Sequence, residues 1–327
     1  MFFINDGSLY IQAPSVSDAW IKALQLVFFE GVNIKTQYDA PKDFPSRDVS
    51  SSICVTDPFS EPFNVRGKPR KVAGFDVYCH TSDVYCVEAI KGGYLDEVMT
   101  GDRDRLIWER GEDDKSYPYT YHDRLYNYKP FNMEDGVEFK KKLEEGKFED
   151  EKEWMEMMLE HEKELIASFP SIDQIDQIIK KLKGFGYTRR AQAVTWRPAG
   201  DNIRNDSPCL RTIWCRVFED GNGVQRLRFN THWRSRDLFG AWEANVNGML
   251  QIAKSMCDEL GVEMGHYNDH CDSLHAYGRV KLVYKEIIPL LERVANVEGL
   301  LKPEYKIMLD KLVKDAESWD EVKPPSL

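Results

Sequence analysis

The spacing of apolar and polar positions changes repeatedly along the chain, and each change marks an element. From about residue 17 to 31, Ser17-Asp18-Ala19-Trp20 onward, the pattern is that of an amphipathic helix behind an Asp or Ser cap. Residues 88–100 read as a second helix, ended near Gly101. The segment 134–165, with Lys140, Lys141, Lys142, Glu144, Glu145 and Glu160, is charged and helix-prone, which describes a solvated helical insertion. Residues 171–184 are helical up to Gly184-Phe185-Gly186. There the period drops to two. Gln192, Val194 and Trp196 begin an alternating run, and 211–218 and 226–232 flank the turn Glu219-Asp220-Gly221-Asn222-Gly223, a strand-and-hairpin signal. Helix returns over 241–260, a strand is expected over 264–271, and 279–316 is largely helical. These elements predict an α+β fold with a mainly antiparallel or mixed sheet flanked by helices. No repeat, low-complexity tract or linker divides the chain, so one domain over 1–327 is expected, with the insertion at 134–165 and a helical C-terminal segment at 279–327.

Composition narrows the class. The 327 residues are 42% hydrophobic and 30% charged, as in an ordinary globular protein with a sizeable core. No apolar run reaches membrane-spanning length. Met1-Phe2-Phe3-Ile4-Asn5-Asp6 has no basic region ahead of its apolar residues, so no signal peptide is expected. Seven cysteines, an odd number without paired spacing, favour reduced thiols and a cytoplasmic location. A net charge of −11 argues against DNA or another broad polyanion as partner.

One cluster of residues carries candidate chemistry. Pro208-Cys209 lies between Arg189-Arg190 and Arg234-Ser235-Arg236-Asp237. A cysteine reacts as its thiolate, which nearby cations favour, and guanidinium groups bind phosphate through paired, charge-assisted hydrogen bonds. On an acidic chain such arginines form a local pocket, which suits a small phosphate ligand. The bland alternatives are a small buried hydrophobe for a lone Pro-Cys and a solvated surface pair for Arg-Arg. His266, Asp269, His270, Cys271 and Asp272 resemble a metal cluster in composition but lack a zinc spacing, and no metal is expected. The Cys-x-x-Cys and His-x-Glu pattern of zinc nucleobase deaminases does not accompany Pro208-Cys209.

From Tyr187 to Tyr277 the chain reads Thr188-Arg189-Arg190-Ala191-Gln192-Ala193-Val194-Thr195-Trp196-Arg197-Pro198, then Ser207-Pro208-Cys209-Leu210 and Trp233-Arg234-Ser235-Arg236-Asp237. Gly240-Ala241-Trp242-Glu243-Ala244-Asn245 and His275-Ala276-Tyr277 follow. Order and spacing resemble the core of the thymidylate synthase superfamily, which includes the pyrimidine-nucleotide hydroxymethylases. The resemblance implies that fold, and an enzyme moving a one-carbon unit from 5,10-methylenetetrahydrofolate to C5 of a pyrimidine nucleoside monophosphate. Cys209 would add to C6 and make C5 nucleophilic. Arg234 and Ser235 would hold the 5′-phosphate, with Arg47 where the family has a mobile phosphate arginine. Arg189 and Arg190 would reach the neighbouring subunit's phosphate, which implies a homodimer. Asn245 would read the base edge, Asp237 would bind the pterin and assist proton handling, and His275 and Tyr277 would bond the sugar. Trp108 resembles the folate-site tryptophan and Tyr121 the active-site tyrosine; Glu97, with Asp96 and Glu88 as alternatives, would be the catalytic glutamate.

Asn245 favours uracil, because an amide matches both N3–H and O4, whereas the cytidylate-using relatives carry Asp there. An amide flip would still suit cytosine. The chain departs from the family at three points. Leu210 follows Cys209 where the best-known synthases have His, as in the archaeal-type relatives; no acid aligns cleanly as the glutamate; and Val322-Lys323-Pro324-Pro325-Ser326-Leu327 does not match the usual folate-closing tail. Two enzyme readings follow: dUMP methylation to dTMP, the preferred one, or 5-hydroxymethylation of CMP, dCMP or dUMP with water as the final nucleophile. A third is a catalytically silent relative that binds nucleotide or its own RNA.

Overall fold

A computed structural model describes residues 3–5, 8–60, 69–72, 75–78, 119–129, 170–202, 207–296 and 301–317. In chain order the elements are β1 (Phe3–Asn5), β2 (Ser8–Ala13), α1 (Val16–Glu30), β3 (Val32–Ile34), β4 (Ser46–Val55), β5 (Pro69–Val72), β6 (Phe75–Tyr78) and α2 (Tyr121–Tyr126). They continue with α3 (Gln174–Gly184), β7 (Gln192–Val194), α4 (Pro198–Asp201), β8 (Leu210–Glu219), β9 (Gln225–Trp233), β10 (Arg236–Asp237), α5 (Trp242–Leu260) and β11 (Glu263–Ala276). Last come α6 (Val280–Leu282), a π turn (Val283–Ile287), α7 (Ile288–Ala295) and α8 (Pro303–Glu317). The expected helices at 88–100 and 134–165 lie outside the described residues, as does the segment 318–327.

The chain forms two compact units. The first comprises residues 1–88, 234–250 and 265–327; the second comprises 89–233 and 251–264. In the first, β2 alternates exposed and buried residues, with Leu9, Ile11 and Ala13 inward. It pairs in parallel with β4, and a parallel pair needs a long crossover, which α1 supplies. β4 pairs antiparallel with β11, and β10 lies parallel on the other side of β11, so the sheet is mixed. Helix α1 starts where Ser15 Oγ accepts from Asp18 N at 3.1 Å. Its apolar face buries Ala19, Trp20, Ala23, Leu24 and Val27, and the Trp20 indole donates to the Leu238 carbonyl at 2.9 Å. Tyr305 of α8 stacks on Phe29 at 4.7 Å, and Lys302 bonds Glu30 at 2.9 Å. Pro289 lacks an N–H for the turn before it, and the wider π turn accommodates that loss.

In the second unit β7, β8 and β9 form an antiparallel meander. The β8–β9 hairpin closes on Asp220, whose Oδ1 accepts from Asn222 N at 2.8 Å and Val224 N at 3.0 Å. Helix α3, capped by Asp173, buries Ile175, Ile178, Ile179 and Leu182. From its first turn Gln174 bonds both the N–H (3.0 Å) and the C=O (2.8 Å) of Val194, completing the backbone pairing of β7. Arg124 on α2 makes a bidentate pair with Asp201, both contacts 3.0 Å and both side chains fully buried, and also donates to the Thr195 carbonyl at 2.9 Å.

Removing one partner of such a pair leaves a buried charge uncompensated. Asp201→Ala should therefore destabilise this unit by about 3–5 kcal/mol. Asp258→Ala, which breaks the exposed α5 pair Lys254–Asp258, should cost less than about 1 kcal/mol. Urea unfolding of both variants checks the difference; equal costs would contradict it.

Candidate functional site

Cys209 sits on the turn before β8, after Pro208. The five described cysteines differ in burial: Cys54, Cys215, Cys257 and Cys271 are buried and Cys209 is half-exposed. Burial pushes the thiols of Cys215 and Cys271 far up and that of Cys257 up to about 12, so these three stay protonated at neutral pH. Tyr121, at the start of α2, is brought to the Cys209 turn. Its hydroxyl accepts from the Leu210 N–H and bonds Tyr119, and its ring meets Trp233 edge-on at 5.6 Å. Burial first, and then the neighbouring Tyr119 and Cys209, raise its pKa well above the usual phenol value, so it remains a neutral phenol. Thr195 Oγ donates to the Leu210 carbonyl, fixing the start of β8. Arg189 and Arg190 precede β7 on the same unit with both side chains exposed; the Arg189 carbonyl accepts from the Trp214 indole at 3.0 Å.

The first unit holds the remaining described residues. Asp237, His275 and Asp48 are register partners on β10, β11 and β4, so the three side chains form one row across adjacent strands. Asp237 Oδ1 accepts from Gly240 N at 2.9 Å and Phe239 N at 3.1 Å. A Cβ at Gly240 would collide with this carboxylate, so glycine allows the close approach. Burial raises the pKa of Asp237, opposed by those N–H groups, by His275 and by Arg279. Burial also raises that of Asp48, opposed by a hydrogen bond from Ser273 and by His275. His275 is 7% exposed; its Nδ1 lies 3.2 Å from the Ser273 carbonyl, and its buried Nε2 has no hydrogen-bond partner among the described residues. Its ring meets Tyr277 edge-on at 4.8 Å, and the Arg279 guanidinium covers the Tyr277 ring at 4.8 Å. Gly278 lets this segment pass against the Phe44 backbone, where Phe44 N donates to its carbonyl at 2.9 Å. Asn245 is buried on the second turn of α5, and Arg234 and Ser235 are half-exposed ahead of β10. Arg47 follows Ser46 on β4, half-buried, and donates to the Gly31 carbonyl at 2.9 Å.

Among the four arginines around Cys209 in sequence, Arg236 has an internal role. Its guanidinium is 1% exposed, paired with Asp269, and donates to the Trp242 carbonyl at 2.9 Å. The metal-like residues of β11 are split by its alternation: Asp269 and Cys271 face inward and His270 and Asp272 outward. Among the described residues no group of three or more His, Cys, Asp or Glu could hold a metal ion, and no helix is long and apolar enough to cross a membrane. Glu97, its alternatives Asp96 and Glu88, and Trp108 lie outside the described residues. Sequence reasoning did not single out Asp48, Ser273 or Arg279, which the structure sets beside His275 and Asp237.

The second unit thus holds a half-exposed cysteine beside a neutral tyrosine, and the first an acid–histidine–acid row on paired strands. A family model described as thymidylate synthase matches residues 125–318. The chain belongs to the thymidylate synthase family, and its mixed sheet flanked by helices agrees with that fold. It is 38% identical over 106 residues to a protein named "Putative thymidylate synthase" from Methanothermobacter thermautotrophicus, covering 32% of this chain and 46% of the relative. A protein of the same name from Methanosarcina barkeri is 31% identical over 160 residues, 49% of this chain and 68% of the relative. The "Deoxyuridylate hydroxymethyltransferase" of Bacillus phage SP01 is 37% identical over 110 residues, 32% of this chain and 27% of the relative. The chain spans about half the length of most of the curated relatives it matches.

Because burial raises the pKa of Asp237 above its ordinary 3.8, the folded protein keeps this proton to higher pH than the unfolded chain. The stability this group contributes is full below 3.8 and is lost as pH rises through the raised value. Asp237→Asn keeps the acceptor for Phe239 and Gly240 and removes the buried charge. It should be more stable than the parent at about pH 7, with the gain shrinking toward about pH 4. Denaturant midpoints at the two pH values check this; an unchanging difference would count against it.

Proposed function

We propose that this protein transfers a one-carbon unit from 5,10-methylenetetrahydrofolate to C5 of a pyrimidine nucleoside 5′-monophosphate, with dUMP converted to dTMP. The observation that carries the reading is Cys209: half-exposed where Cys54, Cys215, Cys257 and Cys271 are buried, beside the neutral phenol of Tyr121, and at the family's motif spacing. Its thiolate adds to C6 and the electrons moving to C5 form the bond to the folate's one-carbon unit. Loss of the C5 proton then expels tetrahydrofolate and leaves an exocyclic methylene. Hydride from that tetrahydrofolate reduces the methylene to methyl, giving dihydrofolate as the thiolate leaves C6 and the ring double bond is restored. Arg234 and Ser235, with Arg47, hold the phosphate. Asn245 reads uracil, His275 and Tyr277 bond the sugar, and Asp237 serves the pterin, with Trp108 on the folate and Glu97 as catalytic glutamate. Arg189 and Arg190 serve the phosphate of a second subunit in a homodimer; their exposure is compatible with that role. A cytoplasmic location accords with seven cysteines that show no paired spacing in the sequence.

A second reading differs only in the last step. The relative from phage SP01 bears the name deoxyuridylate hydroxymethyltransferase, and water attacking the C5 methylene would give a 5-hydroxymethyl product here. One assay separates the two. With dUMP tritiated at C5 and methylenetetrahydrofolate, methylation releases tritium with equal formation of dihydrofolate, whereas hydroxymethylation releases tritium without it. Cys209→Ser should abolish release while nucleotide binding persists. Absence of release from the parent protein, followed by turnover of CMP or dCMP, would overturn the uracil assignment of Asn245; undiminished function in Cys209→Ser would favour a binding protein.

A further inference from the structure

Arg236 stands between Ser235 and Asp237, yet its own side chain is 1% exposed and that of its partner Asp269 is fully buried. A pair sunk this deep leaves no surface for a ligand, so whatever it contributes to the site is indirect. Nor is stability a sufficient account, because an apolar pair of similar volume is often as stable as a buried ion pair. What the apolar pair lacks is direction. The terminal nitrogens of the Arg236 guanidinium serve different elements: Nη1 donates to the Asp269 carboxylate on β11, and Nη2 to the carbonyl of Trp242, the first residue of α5, at 2.9 Å. The Trp242 ring lies against the same guanidinium at 5.7 Å, and Tyr267 donates to Asp269 at 2.9 Å. A planar fork meets both acceptors only when β11 and the start of α5 keep one mutual angle.

The pairing of the strands gives the same residue a second hold. The backbone of Arg236 is in register with Leu274, its side chain reaches Asp269, and the β4–β11 register shifts between Cys271 and Leu274. Arg236 therefore spans the irregular stretch, where a strand bends. His275 follows that stretch directly, and Asn245 lies one helical turn beyond Trp242. At Asp237 the charges that oppose burial are those of His275 and Arg279, which leaves placement rather than charge as the influence of Arg236. We propose that Arg236 and Asp269 are positioning residues that set base discrimination: the pair fixes the first turn of α5 against β11, and with it the angle from which Asn245 meets the base. The base half rests on the proposed function; the fixing of the turn does not.

Two readouts on the full chain separate the halves. Amide exchange at Leu238, whose N–H bonds the His275 carbonyl at 2.8 Å, reads the β10–β11 junction without any ligand. Steady-state kinetics with dUMP and dCMP reads discrimination as the ratio of their kcat/KM values. The central variant is Arg236→Met with Asp269→Leu, which exchanges the ion pair for apolar side chains. Its denaturation midpoint should equal or exceed the parent's, whereas Asp269→Leu alone, which strands the guanidinium, should lower it. Leu238 should nevertheless exchange about 10-fold faster in the double variant. Discrimination should fall about 100-fold, the cost of a displacement of about 1 Å at a reacting site. Arg236→Lys keeps a charge for Asp269 but has no second arm for Trp242, so it should also lose discrimination while staying folded. The parent's ratio retained in both variants overturns the proposal, as does a fall of kcat/KM that is equal for the two nucleotides. A parent that turns over neither nucleotide overturns the proposed function; faster Leu238 exchange in the double variant then upholds the fixing of the turn, and unchanged exchange overturns that as well.

Discussion

A single buried guanidinium organises the strand-borne half of the candidate site. Arg236 is paired with Asp269 on β11 and donates to the carbonyl of Trp242, the first residue of α5, while Tyr267 donates to the same Asp269 carboxylate at 2.9 Å. One residue on a two-residue strand thereby ties β10, β11 and α5 together. Those three elements carry Asp237, His275 and Asn245. The arrangement is expensive in solvation terms, because both charges leave water, and a well-packed apolar substitute could be as stable. What it supplies is direction: β10 makes only two register pairs with β11, too few to hold Asp237 opposite His275 unaided. The fixed geometry of an arginine fork suits that task in a way lysine would not.

Much of this was legible from period alone, and the illegible parts have specific causes. Helices α1, α3 and α5 and the β8–β9 hairpin announce themselves through local spacing, caps and the Asp220 turn. β11 runs longer than the strand expected over 264–271, because Asp272 and Ser273 interrupt the apolar alternation where the register with β4 shifts. β2 and β4 escaped notice: their parallel pairing is a distant contact across α1, and the Ser50-Ser51-Ser52 stretch of β4 resembles a loop in composition. Within the site, motif spacing singled out Cys209, Tyr121, Asp237 and His275, but not which arginine is internal. Arg234 and Arg236 are alike in the sequence and two residues apart, yet Arg234 is half-exposed and Arg236 buried, a difference that only Asp269 and Trp242 explain.

The five described thiols show the same division between structure and chemistry. Cys215 and Cys271 alternate inward on strands and Cys257 is buried on α5, where apolar surroundings hold the proton on sulfur. Cys209 is held at the mouth of β8 by its neighbours: Tyr121 takes the N–H of Leu210 and Thr195 bonds its carbonyl. Both backbone groups of the next residue are thus occupied, so the turn is fixed without burying the thiol. A neutral phenol beside it adds no negative charge that would oppose a thiolate. The thiol is thus left accessible by residues whose own hydrogen bonds are complete.

The acid–histidine–acid row follows a complementary logic. Asp48 and Asp237 are both held above the ordinary carboxylate range by burial, and His275 keeps an unsatisfied nitrogen between them. Burial of each acid works against the folded state at neutral pH, and the local hydrogen bonds, from Gly240 and Phe239 to Asp237 and from Ser273 to Asp48, offset it only in part. In the same unit the buried charges of Arg236 and Asp269 meet directly, so the fold can place an opposite charge against a buried one. Local disagreement of this kind marks positions shaped by binding rather than by folding.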